Sequence, residues 1–551
     1  MADQTSGKPA PPLWRIVTAS AAGTTFEWYD FFVFGSLAAI LSDAFFASLG
    51  PSLRFIAALA TFAIGFAVRP VGALVFGSLG DRIGRKSAFL ATISIMGLST
   101  FAIGLLPTSA TAGIAAPLLL IGLRILQGLA LGGEYSGAAI YVAEHAPPSR
   151  RGQLTAWIQT SAAFGLAAAL GVIFVTRNAL GEEAFHDWGW RVPFLLSLGL
   201  LLISLWIRLK LQESPVYLAL KHAGRTSPQP LCEAFGEWAS LRLVLLALFG
   251  VMIAQGAIWY LAHFYAQFFL ERTLKVAPAT VNALVGASVV MGSPLYIFFG
   301  WLSDRIGRKP VMLFGMLVGI VAPFPAFSLL THAANPDLAS AIARAPVAVS
   351  ADPGRCSFQF DPIGGGKFRT SCDIAKSALA AAGVPYSNIR APAGSPAIVH
   401  IGSVTIVSPD ATDLAERDAQ RLRLETGRRI GAGLASMGYP SSAPPAKVDP
   451  VLVLAILLLL IVAATALYGP QAAALAELFP ARIRYSAASL PYNIGTGWVG
   501  GFLPAAAFAI VVATGNIYAG LWYPIAFTAV AFTVALFFLP ETRFHSLGDD
   551  A

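Results

Sequence analysis

Apolar residues run along this chain in stretches of twenty or more, parted by short polar turns. A helix needs about 20 such residues to cross the hydrocarbon core of a bilayer. The pattern predicts twelve spanning helices, at 16–41, 53–79, 88–107, 114–142, 153–176, 191–209, 242–269, 278–302, 311–331, 451–476, 486–513 and 519–539. The polar, Pro-rich 1–13 lacks a cleavable signal pattern, so the first span is expected to stay in the mature protein. One interval breaks the rhythm. Residues 332–449 alternate over short apolar runs at 347–349, 356–360 and 397–407, with helical patterns starting near Ser371 and Asp410. Gly438, Pro440, Pro444 and Pro445 then form a linker. This interval reads as a small α/β domain.

Composition agrees with a membrane protein. Of 551 residues 56% are apolar and 12% charged, against roughly a quarter charged in an average soluble domain. Disorder, coiled coil and a disulfide miniprotein are excluded. The net charge of +8 does not point to nucleic acid, because the basic residues are scattered over loops. Their distribution sets the orientation instead. Lys8, Arg15, Arg82, Arg85, Lys86, Arg150, Arg151, Arg208, Lys210, Arg305, Arg308, Lys309, Arg482 and Arg484 fall on one side, against Arg54, Arg177, Arg191, Arg272 and Lys275 on the other. Both termini are therefore expected in the cytoplasm of, most simply, a bacterial inner membrane, with the α/β domain in the periplasm. Cys356 and Cys372 lie in that domain and Cys232 in the cytoplasmic central loop. An even pair on the oxidising side predicts a disulfide.

The chain repeats itself. Gly77-Ser-Leu-Gly-Asp81-Arg-Ile-Gly-Arg85-Lys86 returns as Gly300-Trp-Leu-Ser-Asp304-Arg-Ile-Gly-Arg308-Lys309, an offset of 223. The stretch from Glu144 to Arg151 and that from Glu477 to Arg482 and Arg484 are offset by 333, and Glu213 pairs with Glu541. A duplicated six-helix unit accounts for all three pairs, with about 110 extra residues in the second copy. The expected organisation is a first bundle at 1–215, a central loop at 216–241, the second bundle at 242–331 and 450–551, and the inserted domain at 332–449.

Charges inside spans are costly and mark function or packing. Glu27 and Asp30 share a helix face. Glu27 and Arg69 each lie about 18 Å from the cytoplasmic end of their helices, which suits coupling of protons to an anionic or zwitterionic solute, or else a static ion pair. Arg124 is a proton-relay or substrate residue, or a packing partner. In the seventh span Gln255, Trp259 and Tyr260 are cavity candidates, and Tyr492 and Asn493 in the eleventh share their ambiguity. Glu134 is assigned to a cytoplasmic charge network. Asp81, Arg85, Glu144, Arg151 and Glu213, with Asp304, Arg308, Glu477, Arg482 and Glu541, are expected to form cytoplasmic gates. No nucleophile–base or metal-ligand pattern points to an enzyme, a cofactor or a metal.

The doubled Gly-x-x-x-Asp-Arg-x-Gly-Arg-Lys loop resembles the signature of the major facilitator superfamily. Phe26-Glu27-Trp28-Tyr29-Asp30-Phe31, Arg69-Pro70-Val71-Gly72, Gln127-Gly128, Gly132-Gly133-Glu134 and Trp188-Gly189-Trp190-Arg191-Val192-Pro193-Phe194 look like its metabolite:H⁺ symporter family, which carries organic acids, aromatic acids and proline or betaine. The resemblance covers about 14–331 and 450–545 and leaves the inserted domain unexplained. It implies proton symport by rocking of two bundles. The expected partners are protons, membrane lipid and a small organic acid or zwitterion, with a ligand or protein at the inserted domain left open. A carrier-like sensor is the competing class, and it lacks a cytoplasmic signalling module.

Overall fold

The computed structural model describes residues 13–47, 61, 64–210, 212–360, 367–543 and 545–547. The chain is mostly helical. The principal helices are α1 (Leu13–Ser36), α2 (Arg69–Ile83), α3 (Arg85–Leu105), α4 (Ala115–His145), α5 (Arg151–Leu180) and α6 (Arg191–Leu209). They are followed by α7 (Trp238–Thr273), α8 (Pro278–Ile306), α9 (Arg308–Val321), α10 (Pro450–Leu478), α11 (Arg484–Thr514) and α12 (Ala519–Phe538). Among the described residues nine helices are long and apolar enough to cross a membrane, or ten if α9 and the following Pro323–Ala334 count as one span. That pair is bent by 53°, because Pro323 and Pro325 cannot continue the α9 hydrogen-bond ladder. The first expected span falls on α1, whose Arg15, Glu27 and Asp30 dilute its apolar character. Most of the first part of the second, 53–63, lies outside the described residues.

The repeat has a physical basis in its turns. Gly84 and Gly307 link α2 to α3 and α8 to α9 with φ of 115° and 108°, a region closed to residues with a Cβ. Within the first half α2 and α4 approach until a Cβ on Gly132 would stand 2.2 Å from the Arg69 carbonyl, the small-residue packing typical of membrane helices. Between the halves α5 packs on α8 and α2 packs on α11.

A four-stranded sheet, order β2-β1-β3-β4, lies between α9 and α10 in sequence. Strands β1 (Val347–Ala351) and β2 (Tyr386–Arg390) are parallel, joined through the helix Ser371–Ala381 as parallel pairing requires. Strands β3 (Ile398–Ile401) and β4 (Val404–Val407) form a hairpin antiparallel to β1. The expected run at 356–360 is no strand. Its Ser357 N–H bonds the Asp373 carboxylate at 2.8 Å and a Cys356–Cys372 disulfide ties it to the helix start. The second helix begins at Glu416 rather than near Asp410. The sheet segment docks on the second half: Tyr386 N–H donates to Gly515 O at 2.8 Å, Asn388 Nδ2 to Thr514 O at 2.9 Å and Lys275 Nζ to Ala381 O at 2.6 Å.

Candidate functional site

At the end of the bundles where the repeated loops lie, two clusters of the same design bind one half to the other. Asp81, on α2, accepts from Ser486 N–H (2.8 Å), Ser486 Oγ (2.7 Å) and Tyr485 N–H (3.3 Å) at the start of α11. Asp304, on α8, accepts from Gly152 N–H and Gln153 N–H, both 2.8 Å, at the start of α5. Each carboxylate thus meets the orphan N–H groups and positive dipole end of a helix in the opposite half. Each is also paired with the Arg four residues on: Arg85 at 2.7 Å and Arg308 at 2.6 Å.

The next layer repeats as well. Glu144 binds Arg484 at 2.8 Å, lies 3.7 Å from Arg85 and accepts from Ser214 Oγ. Glu477 binds Arg151 at 2.8 Å and Arg308 at 3.1 Å and accepts from Thr542 Oγ1 at 2.9 Å. Glu213 accepts from Lys86 N–H and Glu541 from Arg308 N–H. The mate of Arg151 is therefore Arg484, not Arg482. Arg482 is 48% exposed and pairs with Glu233 of the central loop. The offset of 333 between Glu144 and Glu477, applied to Arg151, already gives 484.

Deeper in, the first half holds the charges. Arg124 Nη1 donates to Gln127 Oε1 (2.8 Å), Gln127 Nε2 donates to Thr100 Oγ1 (2.7 Å), and Thr100 lies beside Asp30. Glu27 does not partner Arg69. It lies 3.6 Å from Arg208, which also binds Glu134 at 2.9 Å. Glu134 accordingly belongs to the interior of the first half and not to the network at the loops. Arg208 sits near the end of its helix and was counted with the loop charges. Only the Gly23 gap that admits its guanidinium reveals that it turns inward.

Arg69 is 93% buried, and its ion-pair partners among the described residues are none. Its guanidinium lies 4.3 Å from the Phe66 ring centre and 5.6 Å from that of Phe31. Its Nε has no hydrogen-bond acceptor. Tyr260, Tyr468 and Tyr492 of the second half are within electrostatic reach, and so is Arg124, which it repels. Tyr492 stacks on Tyr135 with ring centres 3.9 Å apart and shares a 3.0 Å hydroxyl contact with Tyr468. Trp259 donates to Tyr296 Oη at 3.1 Å and lies 6.0 Å from Trp28. Gln255 is buried with Oε1 unpaired. Asn493 is different: its Nδ2 is committed to Gly132 O at 2.7 Å and Ser489 O at 2.8 Å, a strap between halves. Tyr135, Tyr296 and Tyr468 were missed, since a lone Tyr in a long apolar run carries no pattern of its own.

The comparisons with known proteins fit this two-halved architecture. The model of the sugar (and other) transporter family matches residues 16–234 and 430–549, and that of MFS/sugar transport proteins matches 135–349. The chain belongs to the major facilitator superfamily of transporters. It is 36% identical over 332 residues to the proline/betaine transporter of Salmonella typhimurium, covering 58% of this chain and 65% of that one. It is 35% identical to the shikimate transporter of Escherichia coli K12, covering 57% and 72%. The chain thus spans just under two thirds of the length of the proline/betaine transporters it matches. In fold it resembles a double-tryptophan variant of XylE, with a TM-score of 0.65 at 16% identity over 98% of both chains. The XylE proton:xylose symporter bound to a bromo-deoxyglucose gives 0.62 over the same share.

Proposed function

We propose that this chain is a proton-coupled secondary transporter that imports a small carboxylate-bearing metabolite by alternating access. The observation that carries this reading is Arg69: a buried guanidinium with no carboxylate partner among the described residues, facing aromatic rings from both halves. A buried cation is stable only when it is paired, and a substrate carboxylate is the missing anion. Asp30, tied through Thr100 and Gln127 to Arg124, is the proton-coupling group. The inter-half clusters around Asp81 and Asp304 are the gates. On this reading there are twelve spans with both termini in the cytoplasm of a bacterial inner membrane, and the sheet segment is an inserted periplasmic domain.

A zwitterion such as proline or a betaine is the second reading. It is favoured by Trp259, Tyr260 and the four packed tyrosines, whose faces attract a quaternary ammonium, and by the printed substrates of the proline/betaine relatives. The test is uptake of labelled shikimate, proline and glycine betaine into proteoliposomes with and without an inward proton gradient. Gradient-driven accumulation of one of them is expected. No accumulation of any, with the protein inserted and folded, would sink the reading and favour a sensor.

A further inference from the structure

One buried cluster is left without a task by the gates and by the Arg69 site. Glu27 on α1 and Glu134 on α4 share the guanidinium of Arg208 on α6, at 3.6 Å and 2.9 Å. All three are at least 96% buried. Glu27 Oε1, Glu134 Oε2, and Arg208 Nε and Nη2 have no hydrogen-bond partner. The guanidinium lies over the Phe89 ring of α3, 3.5 Å from its centre. A Cβ on Gly23 would stand 2.1 Å from Arg208 Nη2, so glycine at that position is what admits the arginine.

The charge count is uneven. Two carboxylates face one cation, so with both ionised an uncompensated negative charge would sit among apolar side chains, a state the interior strongly disfavours. Carboxylates that share one site titrate as a pair rather than singly. We infer that Glu27 and Glu134 hold one proton between them on Arg208, a proton site separate from Asp30. When the pair accepts a proton one carboxylate becomes a carboxylic acid, the other remains the counter-ion of Arg208, and no other bond changes.

The surroundings give this site a position on a proton route. Glu27 opens with Asp30 onto one small cavity, lined also by Met96, Gly97 and Ser197. Once the pair has released its own proton, it is therefore the next acceptor for one that leaves Asp30. The other groups facing the cluster are few. Phe89 of α3 carries no charge. Tyr485 comes from α11 of the second half and donates to Gly133 O at 2.6 Å, beside Glu134, with the Asp81–Arg85 pair beyond it. Tyr485 also fills the space over Gly80 and Gly137. Parting of α11 from α2 and α4 would lift this cover and open Glu134 to water on the gate side.

The purpose assigned to the site rests on the transport reading, but its test needs no substrate, so the two can fail separately. The test is infrared spectroscopy of the full chain in lipid vesicles, following the C=O stretch of protonated carboxyl groups across pH. In the unaltered protein the pair is expected to give one such band at neutral pH, apart from any band of Asp30. Glu27→Gln and Glu134→Gln should each abolish that same band, because the remaining carboxylate then forms a simple ion pair with Arg208. Asp30→Asn should leave it in place. Arg208→Gln should roughly double its intensity, since neither acid then has a cation. A band that survives both Gln variants, or is lost in only one, overturns the shared proton, and so does an unchanged intensity in Arg208→Gln.

Discussion

The two halves of the molecule agree at their repeated loops and part company in their interiors. At the loops Asp81, Arg85, Glu144, Ser214 and Arg484 do in one cluster what Asp304, Arg308, Glu477, Thr542 and Arg151 do in the other. One tie runs from first to second half and the other back again. In the interior the first half carries Glu27, Asp30, Arg69, Arg124, Glu134 and Arg208. The principal helices of the second half have no Asp, Glu, Lys or Arg except near their ends; their interior offers Gln255, Trp259, Tyr260, Tyr296, Tyr468 and Tyr492. Duplication preserved what both halves need, a matched pair of ties. The interior divides otherwise, with the buried charges on one side and an aromatic wall on the other.

The strongest way to break this comparison is to remove the charge that faces the wall. Arg69→Gln is expected to weaken substrate binding more than a hundredfold, about 3 kcal/mol for a buried charge-assisted contact. Tyr260→Phe should cost about tenfold or less, because the ring face remains. Binding of whichever of shikimate, proline or glycine betaine is transported, measured by calorimetry, separates the two. Equal losses would mean that the aromatic side carries as much of the recognition as the arginine.

The agreement at the loops predicts matched effects. Asp81→Asn and Asp304→Asn each lose an ion pair and weaken two or more bonds to helix N–H groups. Each should destabilise the state closed at that face by on the order of 3 kcal/mol, a shift of roughly a hundredfold in the balance of states. Maximal uptake rate should fall while apparent affinity changes little. Labelling of a cysteine introduced beneath the clusters should rise in both variants. A large effect in one and none in the other would show that the clusters are alike in geometry only.

A finer cut uses two neighbouring arginines. Arg484→Ala leaves Glu144 buried and short of a partner, and should slow cycling about tenfold or more. Arg482→Ala removes a half-exposed pair with Glu233, a kind of contact worth about 0–1 kcal/mol, and should leave the rate within about twofold. The reverse order would restore Arg482 as the gate residue.

These cases also mark how far the sequence could be read. The repeat and many of the span positions were legible: 191–209 coincides with α6, and the loop glycines sit where positive φ demands them. Most of the charged residues that tie the halves at the loops were legible because the same motif occurs twice; Arg484 in place of Arg482 was the exception. Partner choice in the interior was not. Depth along a helix placed Glu27 level with Arg69, but depth says nothing of rotation about the helix axis. It is rotation that turns Glu27 to Arg208 and leaves Arg69 to Phe66 and Phe31. The alternation at 356–360 promised a strand, and the disulfide with the Asp373 contacts made a tethered loop instead, because a cross-link 16 residues apart outweighs a weak local preference.

The smallest effect on transport is expected from that tether, and it tests whether the sheet segment lies outside that division between the halves. Replacing Cys356 and Cys372 together by Ala opens a loop whose closure contributes about 3 kcal/mol in the chain-entropy model. Most of the loss should stay local. The start of the helix Ser371–Ala381 keeps its Thr370 cap, and Ser357 keeps its bonds to the Asp373 carboxylate. The docking contacts run through β2, Gly515, Lys275 and Ala381 instead. Hydrogen exchange should therefore rise over 352–360 and 367–379 and remain unchanged in α7 and α11, while uptake stays within about twofold of the unaltered protein. If exchange rises in α11 near Val512, or uptake falls tenfold, the segment is mechanically joined to the second half. The contrast between the halves would then have to include it as a working part of the aromatic side.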